Sequence, residues 1–215
     1  MENHLSIGMT APDFTANSTF GPITMSEYRG DWVVFFSHPG DFTPVCTTEF
    51  VAFSQVNKQF RDKNTNLLGL SIDSNPSHLA WVNSIYELTG INVPFPVIAD
   101  RVGDVARLYG MIAPDVTTQA TVRNVFIIDP NQKIRAILIY PLPIGRNIPE
   151  ILRLVTALQV SDAEKVLTPA NWKPGEPVLA AAPETYNQLI ERKEDPEQLG
   201  LICNDWYWCY KNMGE

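Results

Sequence analysis

Short blocks of apolar residues recur along the first 140 residues and predict the strands of a buried sheet. The clearest block, residues 32–36, is wholly apolar and ends at a break that contains proline, glycine and aspartate. Blocks of the same kind predict strands over residues 67–72, 97–99, 122–128 and 134–140. The polar segment between the last two has the composition of a hairpin turn, and residues 20–25 predict another short hairpin.

Segments with apolar residues three and four positions apart alternate with these strands and predict helices. The first begins after Thr43, a suitable N-cap residue, with Pro44 at its first position. The same spacing predicts helices over residues 77–88, 101–109, 147–160 and 185–193. Strands that alternate with helices and end in a hairpin and a helix predict a three-layer α/β domain over residues 1–160.

Residues 161–215 have a different pattern and form a C-terminal extension arm. Several prolines between residues 168 and 183 predict an extended chain. The tail, residues 199–210, contains Trp206, Tyr207 and Trp208, which a free tail could not shield from water. We therefore expect the arm to pack on a neighbouring subunit and to be exchanged in a dimer.

The composition narrows the class of protein. The chain has 215 residues, 45% of them hydrophobic, and a formal net charge of -8, which fits a soluble globular protein. Nucleic acid is not an expected partner, because a phosphate-binding face needs clustered lysine and arginine. A membrane is not expected either, since no apolar stretch approaches the length of a span. The N-terminus lacks the pattern of a secretory signal, so we expect a cytoplasmic location.

Sparse cysteines and histidines limit the cofactor chemistry. Three cysteines are too few for a disulfide scaffold and indicate a reducing compartment with thiols that cycle. The histidines, His4, His38 and His78, are too scattered along the chain for a metal motif. With no glycine-rich phosphate loop present, neither a metal nor another cofactor is expected.

Cys46 occupies a distinctive position at the start of the first predicted helix. It precedes Phe50 by four residues and Phe53 by seven, so it shares their inward face. In the first turn the backbone N–H groups are unpaired and the helix dipole is positive, so a cysteine there is expected to react as a thiolate. The spacing alone equally allows a buried structural cysteine.

The string HPGDFTPVCTTE, residues 38–49, resembles the P-x-x-x-T-x-x-C signature of peroxiredoxins. Pro39, Thr43 and Cys46 occupy its fixed positions, after a predicted strand and at a predicted helix start. The resemblance extends over nearly the whole chain, through residues 121–123, 141–143, 145–147 and 172–176.

The long arm and the PVCTTE string look most like the peroxiredoxin 6 subfamily. The tail cysteines, Cys203 and Cys209, resemble the Cys-x5-Cys pair of archaeal thioredoxin-peroxidase-like members of that group. The resemblance implies a thioredoxin-like fold and a thiol-dependent peroxidase that reduces hydrogen peroxide and alkyl hydroperoxides. It also implies a thioredoxin-like or small-thiol reductant and a homodimer, which the family often assembles into rings of five dimers.

Peroxide cleavage needs a thiolate, donors that hold the peroxide in line, and stabilisation of the departing oxygen. By resemblance Cys46 supplies the sulfur, and Arg123 favours its thiolate and donates hydrogen bonds to the peroxide. The Thr43 hydroxyl and the Cys46 backbone N–H would bind the peroxide oxygens. Pro39 would cover the sulfur from water.

Three further residues are candidates for supporting roles. Glu49, one helical turn after Cys46, can pair with Arg123 or Arg146 and fix a guanidinium, or can be an ordinary solvated glutamate. Arg146 can take part in the site or only anchor a loop. His38 can touch and modulate the pocket, or can be a structural histidine.

The product of the first step would be a sulfenic acid at Cys46, whose fate depends on a second thiol. By resemblance Cys209 of the partner subunit resolves it, and Cys203 then exchanges with Cys209. This route needs local unwinding around Cys46, because an inward-facing sulfur cannot meet an arm otherwise. The alternative is that Cys203 and Cys209 are only buried in an aromatic tail. A zinc site there is not expected, since two thiols without a nearby histidine are too few ligands.

Rival functions differ in the residues that they require. A phospholipase activity known in some relatives needs a G-D-S-W string, but Gly30, Asp31 and Trp32 lack the serine. A disulfide reductase of thioredoxin type needs a second cysteine where Glu49 stands. An oligomeric holdase or scaffold, with peroxidase activity secondary, stays an alternative because the aromatic tail and an assembled ring would allow it.

Overall fold

The computed structural model describes residues 5–213 and divides into two compact units, Met1–Ile148 and Pro149–Glu215. His4 lies outside the described residues. Among the residues described, none of the helices combines the length and the apolar character that crossing a membrane requires.

The first unit contains a seven-stranded sheet with helices between its strands. The strands are β1 (Thr15–Ser18), β2 (Gly21–Thr24), β3 (Trp32–Ser37), β4 (Thr65–Ser71), β5 (Val97–Ala99), β6 (Arg123–Ile128) and β7 (Ile134–Tyr140). The helices are α1 (Pro44–Arg61), α2 (Asn75–Thr89) and α3 (Asp104–Leu108), and Met25–Tyr28 forms a short 3-10 helix.

The order of the sheet is β2-β1-β5-β4-β3-β6-β7. Strands β3, β4 and β5 are parallel to one another, whereas β6 is antiparallel to β3. The register pairs Phe36 of β3 with Val125 of β6. The carboxyl end of β3 therefore lies beside the amino end of β6, so Arg123 begins its strand next to the loop that leads into α1.

Apolar side chains cover both faces of the sheet, as successive residues of a strand point in opposite directions. On one face the ring of Phe36 stacks on Phe53 of α1, with centroids 4.3 Å apart. On the other face Phe35 meets the edge of Tyr109, which follows α3, at 4.9 Å. These contacts confirm the predicted three-layer α/β arrangement.

Most predicted elements are present, and several differ in extent. The first hairpin begins earlier than predicted, at Thr15, because the polar sequence of β1 gives no apolar signal. Helix α3 is shorter than predicted and begins at Asp104, after Gly103 adopts a left-handed backbone with φ 74°. Helix α2 begins two residues before and ends one residue after the predicted range of 77–88; Ser74 caps its first turn, and Gly90 ends it at φ 72°.

The second unit contains most of α4 (Ile148–Glu164), α5 (Tyr186–Glu194) and a small sheet. The three strands, β8 (Val178–Leu179), β9 (Ile202–Asp205) and β10 (Trp208–Lys211), pair in the order β8-β10-β9. The division between the units falls at the start of α4, whereas the sequence-based domain boundary at residue 160 was drawn near its end. The tail, predicted only as a packed aromatic segment, is thus a hairpin in a sheet of its own.

Candidate functional site

Cys46 lies in the first turn of α1, which begins at Pro44 as predicted. Its side chain is fully buried, and so are Phe50 and Phe53 on the same face of the helix. The first intrahelical hydrogen bond comes from Thr47 N to Thr43 O, at 3.0 Å. The N–H groups before Thr47 belong to the first turn, where a helix offers donors to an external group.

Thr43 occupies the N-cap position, but its side chain does not cap the helix. Its hydroxyl donates instead to the carbonyl oxygen of Gly40, at 2.8 Å, and so braces the preceding loop. With its hydrogen engaged in this way, Oγ1 still has lone pairs that can accept a hydrogen bond. Pro39, in the same loop, is half-buried.

Arg123 is buried beside Cys46 and makes three hydrogen bonds. Nη1 donates to Cys46 Sγ at 3.3 Å and to Glu49 Oε2 at 2.8 Å. Nε donates to the carbonyl oxygen of Leu142 at 2.9 Å. The planar guanidinium is thereby fixed from two sides, and its positive charge faces the sulfur.

Glu49 bridges the two buried arginines. Its Oε1 accepts from the backbone N and Nε of Arg146, at 2.8 and 2.9 Å, and its Oε2 accepts from Nη2 of Arg146 at 2.7 Å. Oε2 also accepts from Arg123. Because Glu49 is only 2% exposed, it is not the solvated helix glutamate that the sequence left open.

Arg146 joins the site and also anchors its loop. Nη1 donates to the carbonyl oxygens of Ser37 and Asn124, at 2.8 and 3.1 Å, and the guanidinium lies 5.1 Å from the ring centre of Phe36. Burial lowers the pKa of the Arg146 guanidinium, and the Glu49 carboxylate opposes that shift. One carboxylate thus accompanies two guanidinium groups, which leaves a net positive charge around the sulfur.

His38 packs against residues that surround the site, and its polar partner, Asp41, was not predicted. Its Nε2 lies 2.9 Å from Asp41 Oδ1, and its ring packs on Phe50 and Trp81 at centroid distances of 4.8 and 5.0 Å. The same carboxylate meets Nδ1 of His78, whose distance to Oδ2 is 2.8 Å. No local sequence pattern indicated this cluster, because His78 lies on α2, which is remote in sequence from the loop that contains His38 and Asp41.

The cluster shifts the titration of two of its members. Burial lowers the pKa of the His38 imidazole, although the hydrogen bond to Asp41 acts in the opposite direction. Burial alone would raise the pKa of Asp41, but the hydrogen bonds from His38 and His78 outweigh it and lower that pKa well below its ordinary value. Asp41 is therefore a carboxylate at neutral pH, and His38 is neutral.

The remaining predicted residues, Cys203 and Cys209, form a disulfide with their Cα atoms 4.0 Å apart. They are opposite each other on β9 and β10. Cys209 is fully buried, whereas Cys203 is half-buried. Cys203 is thus the more solvent-exposed of the two cysteines.

Two family models match the chain. The AhpC/TSA family model covers residues 7–137, and the model of the C-terminal domain of 1-Cys peroxiredoxin covers residues 157–195. The first match contains Cys46, Glu49 and Arg123, and the second begins inside α4.

Curated proteins similar to this chain carry the same family name. Peroxiredoxin 2 of Caldanaerobacter subterraneus is 60% identical over 96% of this chain and 93% of its own length. Peroxiredoxin 2 of Thermoplasma acidophilum is 53% identical over 88% of this chain and 94% of its own.

Solved structures confirm the predicted thioredoxin-like peroxiredoxin fold. A structure of peroxiredoxin 6 of Arenicola marina, in a cysteine-to-serine mutant form, is 33% identical and superposes with a TM-score of 0.86 over 98% of this chain and 99% of that one. A yeast mitochondrial 1-Cys peroxiredoxin, whose structure concerns thiol resolution through glutathione and thioredoxin systems, is 38% identical with a TM-score of 0.85. That match covers 97% of this chain and 100% of the yeast chain.

Proposed function

Because the chain belongs to the peroxiredoxin family of thiol-dependent peroxidases, we propose that Cys46 is the cysteine that attacks the peroxide. The observation that carries this proposal is the buried contact between Arg123 Nη1 and Cys46 Sγ, at 3.3 Å. A fixed guanidinium at that distance stabilises negative charge on the sulfur and remains available to a substrate oxygen. The substrates are hydrogen peroxide and alkyl hydroperoxides.

The reaction forms one bond and breaks one. The Cys46 thiolate attacks the nearer peroxide oxygen, an S–O bond forms as the O–O bond breaks, and the departing oxygen takes a proton to leave as water or an alcohol. Arg123 stabilises the charge that develops on the departing oxygen. Thr43 Oγ1 accepts a hydrogen bond from the bound hydroperoxide. The backbone N–H of Cys46, in the first turn of α1, donates a hydrogen bond to an oxygen of the hydroperoxide. Pro39 limits the access of water to the sulfur.

Glu49 and Arg146 support this chemistry by fixing Arg123. Glu49 receives hydrogen bonds from both arginines, and Arg146 is tied in turn to the backbone of Ser37 and Asn124. A guanidinium held in advance does not have to reorganise when charge develops during the reaction.

The oxidised enzyme returns to its thiol form through the tail. The thiol of Cys209 of the partner subunit attacks the Cys46 sulfenic acid, forms a disulfide with Cys46 and releases water. Cys203 then displaces Cys46 by thiol–disulfide exchange and leaves a Cys203–Cys209 disulfide. The half-buried Cys203 is the sulfur that an external dithiol reductant of thioredoxin type, or a small thiol, reaches first.

The proposed assembly follows from the exposed tail. Tyr207 and Trp208 are 54% and 44% exposed in the single chain, which favours packing of the arm on a second subunit. We therefore expect a homodimer, and the family resemblance implies its assembly into a ring of five dimers. A cytoplasmic location stays a prediction from the sequence.

Replacement of Cys46 by serine tests the proposed function. We expect Cys46→Ser to lose peroxide reduction with a reducing system present, while circular dichroism shows an unchanged fold. Cys203→Ser is the matched control and should still consume one equivalent of peroxide. Peroxide reduction at the wild-type rate in Cys46→Ser would contradict the proposal. Loss of peroxide reduction with unchanged suppression of the aggregation of a denatured client would show that a holdase function is separable from the peroxidase.

A further inference from the structure

A cavity of about 380 Å³ lies in the first unit at the end of α1 that is remote from Cys46. The tip of the β1–β2 hairpin, the 3-10 helix, the last turns of α1, the start of β4 and the segment before β5 form its walls. Arg61, in its wall, is 15 residues after Cys46 on the same helix, which separates the two by about 22 Å. The volume falls in the range of small-molecule sites, which begins at about 300 Å³.

The apolar part of the wall consists largely of flat rings. Phe95 and Leu67 are its buried members, each 2% exposed, and Pro94 and Pro96 flank Phe95 in the chain. Phe20 stands at the rim and is 62% exposed. Aromatic and pyrrolidine rings present flat faces, so this wall suits a planar apolar group that stacks on them and covers Phe20.

The rim is held in place by hydrogen bonds around the hairpin tip. The backbone N of Thr19 donates to the carbonyl oxygen of Val97 at 3.0 Å, and the backbone N of Val97 donates to Thr19 Oγ1 at 3.1 Å. The backbone N of Phe20 itself donates to Ser18 Oγ at 3.1 Å. The backbone that carries the exposed ring is therefore fixed to β5 before any ligand arrives, which reduces the entropy that binding would cost.

A guanidinium with unused donors faces this apolar wall. Nη1 of Arg61 donates to Asn66 Oδ1, and Nδ2 of Asn66 donates in turn to Asp31 Oδ2 at 3.0 Å, so the amide orients the arginine. Arg61 forms no ion pair within residues 5–213, because the neighbouring Asp62 is paired with Lys58 at 2.7 Å. The remaining N–H groups of the guanidinium are available to an anion.

Two neutral donors lie beside the guanidinium. Neither the Tyr28 hydroxyl nor the Asn57 amide has a hydrogen-bond partner in the described part of the chain. Burial raises the pKa of the Tyr28 phenol and the charge of Glu27 adds to the shift, whereas the positive charge of Arg61 opposes it. The phenol is therefore protonated at neutral pH, and it lies close enough to Arg61 to share a ligand with it.

We propose that this cavity binds a small planar aromatic carboxylate, with its ring on the faces of Phe20 and Phe95 and its carboxylate on Arg61. A carboxylate matches the guanidinium fork, and the Tyr28 hydroxyl and Asn57 amide would donate to its oxygens. Among the described residues that line the cavity, Arg61 is the one with a formal charge, so a singly charged anion fits better than a phosphate dianion. The site is separate from the peroxidase chemistry and does not depend on it.

Isothermal titration of the whole protein with 2-naphthoate tests the site. A ligand of this size with ordinary ligand efficiency should bind at one site per chain with a dissociation constant of about 1 mM or lower. Two further probes separate the parts of the proposal. We expect 2-naphthamide, which keeps the rings but lacks the charge, to bind about tenfold more weakly. Laurate, which keeps the charge but lacks the rings, should also bind more weakly.

Variants locate the binding. Arg61→Gln should weaken the binding of 2-naphthoate by about tenfold, and Tyr28→Phe by about fivefold, with circular dichroism unchanged. Arg107→Gln is the control, because it makes the same change of charge at an exposed arginine on α3, and it should bind as the wild type does. Cys46→Ser should also bind normally, since the cavity is remote from the sulfur.

Several results would overturn the proposal. Absence of saturable binding of 2-naphthoate up to about 10 mM would remove the site, since the expected dissociation constant is about tenfold lower. Equal affinity of 2-naphthamide or of laurate would contradict the assigned class of ligand. Equal affinity in folded Arg61→Gln, or loss of binding in Cys46→Ser, would place the ligand elsewhere. None of these results bears on whether Cys46 reduces peroxide, so the proposed function is judged separately by its own test.

Discussion

Arg123 and Cys46 are 77 residues apart in the chain, yet Nη1 of the arginine donates to the cysteine sulfur at 3.3 Å. The antiparallel pairing of β3 and β6 produces this contact, because it puts the first residue of β6 beside the loop that leads to Cys46. The same nitrogen also donates to Glu49. One guanidinium thus links the sulfur to the charge network behind it.

Replacement of Arg123 by lysine should remove most of the activity. A lysine ammonium keeps the charge but lacks the planar fork that meets the sulfur, Glu49 and the Leu142 carbonyl together. We expect the rate of Cys46 oxidation to fall by about 100-fold, the loss typical of removing a transition-state donor. Stopped-flow measurement with hydrogen peroxide checks this, with Arg135→Lys on the neighbouring strand as the control. A rate near that of the wild type would rule out the role of Arg123.

Replacement of Glu49 by glutamine should destabilise the fold as well as the site. The change removes the carboxylate that accompanies two buried guanidinium groups, and an uncompensated buried charge costs about 3 kcal/mol or more. The free energy of unfolding from urea titration should fall by that amount. Glu87→Gln, on the exposed side of α2, is the control and should stay within about 0.5 kcal/mol of the wild type. Equal stability of the two variants would contradict the bridging role of Glu49.

Serine variants of the two tail cysteines should stop the catalytic cycle at different steps. Cys209→Ser should stop after the sulfenic acid and form no cross-link to Cys46. Cys203→Ser should instead accumulate the Cys46–Cys209 disulfide, because the exchange that frees Cys46 is missing. Non-reducing electrophoresis after one equivalent of peroxide distinguishes these states. A cross-linked dimer in Cys209→Ser would reverse the assigned order of the two cysteines.

Folding stability should decrease in mild acid because of His38. Burial lowers the pKa of this imidazole from its ordinary value of 6.5, so below that pH the unfolded chain binds a proton that the folded chain does not. The stabilising contribution is complete above pH 6.5 and declines as the pH falls toward the lower folded-state pKa. The thermal midpoint between about pH 8 and pH 5 measures it, and His38→Asn should show a flatter profile. An equal slope in both proteins would contradict this account.

Local sequence patterns were sufficient for most of the first unit. Apolar blocks predicted β3, and the Thr43–Pro44 start predicted α1, because these signals come from residues close together in the chain. The polar β1 lacked such a signal, and the tail hairpin was missed because its aromatic residues carry no clear alternation. Pairing between distant strands cannot be read from periodicity, so the proximity of Arg123 to Cys46 came only from the family resemblance.

Contacts between distant residues in the candidate site were also not predictable from local sequence patterns. The sequence left Glu49 as a partner of one arginine or the other, or as a solvated glutamate, but the structure has it bridging both arginines. The histidines were interpreted as scattered, yet His38 and His78 share the carboxylate of Asp41. Both differences arise from packing between elements that are remote in sequence, where one buried carboxylate can satisfy donors from several segments.

The most direct test of the central claim uses a Cys203→Ser, Cys209→Ser double variant, in which Cys46 is the remaining cysteine. One equivalent of hydrogen peroxide is added, followed by a sulfenic-acid reagent of the dimedone type and mass spectrometry. The account predicts one dimedone adduct per chain, located on Cys46. An unmodified Cys46, with the peroxide left unconsumed, would contradict it.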